Sequence, residues 1–128
     1  MINVVCAVIQ DSHGRVLACR RPEGKLLAGK WEFPGGKIEQ GEQPEHALVR
    51  EIAEELNCGI NAIRQLEVVT HDYETFSIRL IPFLCTMGSE ELSPTEHTDV
   101  RWVELEECRE LDWAAADVPI WSALLALS

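Results

Sequence analysis

Apolar and polar positions change period along this chain, and the changes mark its elements. Val4 to Ile9 is apolar and rich in β-branched residues, which predicts a central strand. Asp11-Ser12-His13-Gly14 is a turn cluster. Arg15 to Arg21 then alternates Val16 and Ala18 against Leu17 and Cys19, so the two runs predict a hairpin. A Gly- and Pro-bearing loop, Pro22 to Lys30, leads into Trp31-Glu32-Phe33-Pro34, where alternation puts Trp31 and Phe33 on one face and Glu32 on the other. After Gly35-Gly36 and Gln40-Gly41 the period becomes helical, with Ala47, Leu48, Ile52 and Leu56 on one side. Pro44 suits the first turn of that helix and Asn57 its left-handed end.

The second half returns to strands. Ile60 to Tyr73 reads as one strand with irregular ends, and Phe76 to Cys85 as a stronger one, in which Pro82 predicts a bulge or an edge position. Met87 to Thr98 is a long polar loop, Val100 to Val103 a short strand and Leu105 to Leu111 a short helix. Asp117 to Leu127 is an amphipathic helix carrying Ile120, Leu124 and Leu127. Helices interspersed among strands predict an α/β layer architecture, and 128 residues without a repeat predict a single domain over 1–128.

Composition narrows the partners. A net charge of −11 opposes binding to nucleic-acid polymers, which depends on Lys and Arg neutralising phosphates, and opposes an anionic membrane surface. A small phosphorylated ligand fits only if metal ions bridge it to the protein. Cys6, Cys19, Cys58, Cys85 and Cys108 are odd in number and lack C-x-x-C spacing, the pattern of reduced thiols in a cytoplasmic protein. The N-terminal run has no basic region or cleavage site of a signal peptide, and no apolar run reaches the length of a membrane span.

Glu51, Glu54 and Glu55 share one stripe of the predicted helix, beside Arg50. Taken alone, E-x-x-E-E reads first as a solvated acidic face, with a site for a hard divalent cation as the alternative. The surroundings decide. Gly36, Glu42, Arg50, Glu51, Glu54 and Glu55 fit G-x5-E-x7-R-E-x-x-E-E. At roughly 7% per residue type, six such positions coincide about once in 10⁷ starting points. The stretch resembles the signature of the Nudix hydrolases, MutT-like members included. Asn57 stands where that family has Gly, at a helix cap where Asn is the next best residue.

The resemblance implies an α/β/α sandwich around a mixed β-sheet. It implies Glu51, Glu54, Glu55 and the Gly35 carbonyl as ligands of Mg²⁺ or Mn²⁺, and Arg50 and Glu42 as the pair holding the loop against the helix. Glu96, six residues before Trp102, matches a further glutamate of MutT-like members and is implied as an additional ligand of the metal, with an ordinary loop carboxylate as the alternative. Glu51, Glu54, Glu96 and Arg50 form the implied catalytic set. Arg21, Phe33, Lys37 and Asp117 are the implied substrate contacts, with surface charge open for Arg21 and Lys37, core packing for Phe33 and helix capping for Asp117. The activity implied is conversion of a nucleoside triphosphate and water to the monophosphate and pyrophosphate, on cytosine-type nucleotides or on 8-oxo-dGTP. Hydrolysis of ADP-ribose, NADH or dinucleoside polyphosphates, and nucleotide binding without catalysis, are the alternatives. A small-molecule nucleotide is the expected partner, and a monomer or weak homodimer the expected state.

Overall fold

Alternate side chains of the first strand enter two different cores. Val5, Ala7 and Ile9 pack with Ala47, Leu48, Ile52 and Leu56, whereas Cys6 and Val8 pack with Ala116 and Ile120. A strand side chain points to the opposite face from its neighbour, so an unbroken apolar run is what a sheet covered on both faces requires. The computed structural model describes residues 1–88, 92 and 99–128. In chain order its elements are β1 (Ile2–Ile9), β2 (Val16–Arg20), β3 (Trp31–Glu32), β4 (Gly35–Lys37), α1 (Pro44–Leu56), β5 (Ile60–Gln65), β6 (Val69–Asp72), β7 (Ser77–Met87), β8 (Asp99–Val103) and α2 (Val118–Leu127). Tight 3₁₀ turns cover Leu105–Glu110 and Ala115–Asp117.

β1 pairs in parallel with β7 and antiparallel with β4, and β7 carries β5 and β6 on its other edge, which makes a mixed sheet. A second, antiparallel sheet runs β3-β2-β8. The predicted hairpin of β1 with β2 is therefore corrected to a change of sheet. A strand has two hydrogen-bonding edges, and β1 gives both of its own to β4 and β7. Only the bridge Gln10–Val16 joins the two runs beyond the turn. That turn is held by Asp11, whose carboxylate accepts from the backbone N–H groups of His13 and Arg15, both at 2.9 Å.

Other expectations shift as well. The segment 60–73 is two strands, not one. Pro82 is neither at an edge nor exposed: it is fully buried in β7, opposite Cys6 of β1. Its carbonyl accepts from the Leu66 N–H at 2.8 Å, just where the neighbouring ladder stops at Gln65–Phe83 and resumes at Val69–Leu80. The absent proline N–H thus falls at the break between β5 and β6. The segment 105–111 winds as a 3₁₀ turn, and α2 begins at Val118 with Ile120 buried, Leu124 half-buried and Leu127 exposed, so the apolar stripe of that helix is only partly covered. Most of the predicted loop 87–98 lies outside the described residues, Glu96 included.

Helix α1 forms as its pattern predicts. Pro44 sits in its first turn, and Asn57 ends it at φ 53°, ψ 38°, with its N–H returned to the Ala53 carbonyl at 3.1 Å. Ala47, Leu48, Ile52 and Leu56 are fully buried against β1 and its neighbours, so the face that carries the glutamates is fixed relative to the sheet. All five cysteines are free and buried, and burial pushes the Cys85 thiol up to about 12 and the Cys108 thiol up to about 11. Among the described residues no helix is long and apolar enough to cross a membrane.

Candidate active site

The segment Phe33-Pro34-Gly35-Gly36 joins two groups of side chains that line one cavity of about 560 Å³. One group gathers at α1. Gly36 packs directly against the Glu51 carboxylate, and a Cβ there would overlap that carboxylate. A Cβ on Gly35 would come within 2.7 Å of Cys6 Cα in β1. Gly35 is therefore demanded by close approach to the β1 backbone, whereas a side chain at Gly36 would displace the Glu51 carboxylate. Glu51, Glu55 and Lys37 line the cavity beside them.

Arg50 organises the charge. Its Nε donates to Glu42 Oε2 at 2.7 Å and its Nη2 to Glu42 Oε1 at 2.9 Å, a two-pronged pair between the loop and the helix. The same Nη2 reaches the Lys37 carbonyl at 3.2 Å, and Nη1 reaches Glu51 at 2.9 Å and Glu54 at 3.4 Å. Hydrogen bonds from Arg50 hold the Glu42 carboxyl down at about 2, and Glu42 in turn raises the Arg50 guanidinium. The Glu42 carboxylate also accepts the Glu39 N–H at 3.0 Å, which closes the loop on itself.

Glu51, Glu55 and the Gly35 backbone lie on one wall, hard oxygen donors suited to Mg²⁺ or Mn²⁺. Glu54, with its side chain 61% exposed, turns toward Arg50 and is absent from that wall. Among the described residues no three carboxylate, imidazole or thiol groups converge at metal-ligand distance. The donor chemistry fits a hard cation, and Arg50 is a positive charge shared by Glu42, Glu51 and Glu54.

The other group surrounds Asp117. The sequence leaves open whether this residue caps α2, and its side chain makes no capping hydrogen bond. It turns inward, where Oδ2 accepts the Phe33 N–H at 2.9 Å across 84 positions. Burial pushes its carboxyl well up, and the nearby Glu32 adds to the rise, against the opposing pull of the Phe33 N–H and Arg21. The residue is thus predisposed to the neutral acid, which carries a donor as well as an acceptor. Arg21 lines the cavity, pairs with Glu32 at 3.2 Å and holds the Leu26 carbonyl at 2.7 Å. Its neighbour Arg20 turns to the other face and lies 5.8 Å from the Trp31 ring centre. Phe33 packs on Trp113 with ring centres 4.9 Å apart and also borders the cavity, so the core and substrate readings of that residue both hold geometrically.

The structure brings Gly35, Glu51, Glu55, Lys37, Arg21, Phe33 and Asp117 to one cavity. Glu32, Tyr73 and Phe76 are among the further lining residues that the sequence did not single out. For Glu32 the signal was present in its alternation against Trp31. For Tyr73 and Phe76 only the folding of the β6–β7 turn against the Asp117 segment reveals the place.

Comparison with known proteins accords with this geometry. The profile of the NUDIX domain matches residues 4–123. An 8-oxo-dGTP diphosphatase of Proteus vulgaris is 39% identical over 92 residues, 72% of this chain and 82% of that protein. A CTP pyrophosphohydrolase of Escherichia coli (strain K12) is 38% identical over 129 residues, 99% of this chain and 93% of that protein. Among solved structures, the solution structure of the E. coli ORF135 protein superposes with a TM-score of 0.84 at 33% identity, covering 99% of this chain and 90% of that one. The mixed sheet between two helical layers is thus the Nudix α/β fold, and the chain belongs to the Nudix domain family.

Proposed function

We propose that this protein is a MutT-like, Mg²⁺-dependent nucleoside triphosphate pyrophosphohydrolase that acts on cytosine-type or oxidised nucleotides. The observation that carries the reading is the joining of the two groups in one cavity: carboxylates and a Gly-Gly turn at one end of a four-residue segment, an aromatic residue and a buried acid at the other. A nucleoside triphosphate has the same two parts, a polyanion and a flat, hydrogen-bonding base. Relatives named for hydrolysis of CTP and of 8-oxo-dGTP support the same substrate class.

In this reading Glu51, Glu54, Glu55 and the Gly35 carbonyl would hold the divalent cation. The cation supplies neutralisation of phosphate charge and activation of water at neutral pH. Lys37, at the edge of the cavity, meets a phosphate. Arg50 keeps Glu51 and Glu54 in register and ties both to the loop through Glu42. A glutamate of this face accepts a proton from the attacking water. Arg21 approaches the nucleotide from the strand end, Phe33 walls the base and Asp117 reads its edge. Water and the triphosphate give the monophosphate and pyrophosphate.

A pyrophosphate-release screen with Mg²⁺ across CTP, dCTP, 5-methyl-dCTP, 8-oxo-dGTP, ADP-ribose and diadenosine polyphosphates tests the reading. Turnover of at least one triphosphate to the monophosphate is the expected result. Turnover of ADP-ribose or the dinucleotides alone would overturn it in favour of a different Nudix substrate, and binding without any turnover would leave a nucleotide-binding protein.

A further inference from the structure

The turn between β6 and β7 carries Tyr73, Thr75 and Phe76, all of which line the cavity that holds Asp117. The Tyr73 phenol oxygen accepts the Ala116 N–H at 3.0 Å, across 43 positions. Ala116 immediately precedes Asp117, inside a 3₁₀ turn of three residues, Ala115–Asp117. The ring of Tyr73 stacks on Phe76 with centres 4.9 Å apart and planes at 26°, and meets His71 edge-on at 4.5 Å. One side chain therefore joins the backbone under the buried acid to an aromatic surface of the same cavity.

We propose that Tyr73 is a positioning residue for base discrimination, fixing Asp117 through the Ala116 N–H and the Phe76 ring through stacking, on the reading of this cavity as a nucleotide pocket. The segment before Asp117 is anchored from β3 by Ala114, whose N–H reaches the Trp31 carbonyl at 2.9 Å, and from the β6–β7 turn by Tyr73. Asp117 has a short side chain with one oxygen already committed to Phe33. Its remaining oxygen meets a base edge only if the backbone beneath it is held. An error near 1 Å in such a contact costs up to about 10²-fold. A phenol oxygen suits this task because it moves only with its ring, and that ring is held between His71 and Phe76.

The test is Tyr73→Phe, which removes one oxygen and keeps the ring. kcat and KM are measured for CTP, dCTP and 8-oxo-dGTP, with thermal unfolding alongside. The ratio of kcat/KM between the best and the poorest nucleotide is expected to fall about fivefold, the effect of one neutral hydrogen bond, with the change carried by KM and the fold retained. An unchanged ratio overturns the proposal, and so does an equal loss for every nucleotide, which marks a general structural role. In the double variant with Asp117→Asn the two effects on the ratio are expected to be non-additive, because Tyr73 acts through Asp117; strict additivity overturns the proposal. Wild-type protein that hydrolyses no triphosphate overturns the underlying reading and this inference with it, whereas wild-type turnover with an insensitive Tyr73→Phe ratio overturns this inference alone.

Discussion

Arg50 grips Glu42 with two of its nitrogens, Nε at 2.7 Å and Nη2 at 2.9 Å, while its third reaches Glu51 and Glu54. The loop before α1 and the carboxylates on α1 are thereby held by one guanidinium. Removing the loop half of the pair by Glu42→Gln is expected to lower activity or metal affinity about 10–100-fold, the usual cost of losing a group that orients a metal ligand. The pH dependence has a definite sign. The Glu42 carboxyl is depressed to about 2 in the folded protein, so its contribution to stability is present above the ordinary glutamate value of 4.5 and is lost as pH falls from there through about 2. Melting curves of wild type and Glu42→Gln should differ at pH 6 and converge near pH 2. A constant difference across that range would contradict the assignment.

Gly36 leaves no room for a methyl group, because its Cβ position is occupied by the Glu51 carboxylate. Gly36→Ala therefore forces Glu51 away from the cavity wall while leaving the core beneath α1 intact. The expected result is a loss of activity of at least about tenfold with a small change in melting temperature. Gly35→Ala meets backbone instead, Cys6 Cα at 2.7 Å and the Val5 carbonyl carbon at 2.9 Å, and disturbs the β1–β4 pairing itself. That variant is expected to lose stability by about 1–3 kcal/mol. Activity assays and denaturant titration on the pair separate the two effects, and equal stability loss in both would refute the distinction.

The sequence made α1 legible because everything that defines the helix is local: the apolar face, Pro44 at its start, Asn57 at its end and the carboxylates on one stripe. The β1–β2 connection was misread for the complementary reason. Alternation in Arg15 to Arg21 specifies a strand but not its partner, and the partner was settled by residues far along the chain, Ser77–Met87 claiming one edge of β1. Pro82 shows the same limit, since a proline can lie in a central strand when the neighbouring strand breaks opposite it. Asp117 sits at a position where capping is the local expectation, yet its carboxylate is drawn 84 positions away to the Phe33 N–H. The Asp117 end of the cavity was legible only in part, because Tyr73 and Phe76 reach it through tertiary folding alone.

Glu54 and Glu55 are neighbours in sequence with different surroundings. The Glu54 side chain is 61% exposed, whereas Glu55 is only 8% exposed and lines the cavity. Glu54→Gln is expected to reduce kcat about 10²-fold or more, the scale of a lost catalytic carboxylate, with a melting temperature close to wild type. Glu55→Gln is expected to weaken Mg²⁺ binding, shifting the half-saturating Mg²⁺ concentration upward, and to alter stability as well because its site is buried. Chelation by EDTA should abolish turnover in all forms, and restored turnover on adding Mg²⁺ distinguishes metal loss from unfolding. A Glu54→Gln enzyme with wild-type kcat would remove Glu54 from the catalytic set.

Asp117 makes stability depend on pH in the opposite sense to Glu42 and, on the proposed reading of the pocket, ties base choice to pH as well. Its carboxyl is raised by burial and by Glu32, so the folded state holds a proton that the unfolded chain releases near the ordinary aspartate value of 3.8. The favourable contribution of the neutral acid is complete below that value and is lost as pH rises through the folded value. Asp117→Asn keeps the shape and removes the titration, so its stability relative to wild type should improve as pH climbs from about 4 toward neutrality. On the proposed reading of the pocket, the same titration changes what a base would meet. With Oδ2 committed to the Phe33 N–H, the neutral acid offers a proton to an acceptor on the base, and the ionised form offers only an acceptor, suited to the exocyclic amine of cytosine. The kcat/KM ratio of dCTP to 8-oxo-dGTP should therefore vary with pH in the wild type and be flat in Asp117→Asn. A ratio that varies equally in both would assign the pH dependence to another group and leave Asp117 as a structural acid only.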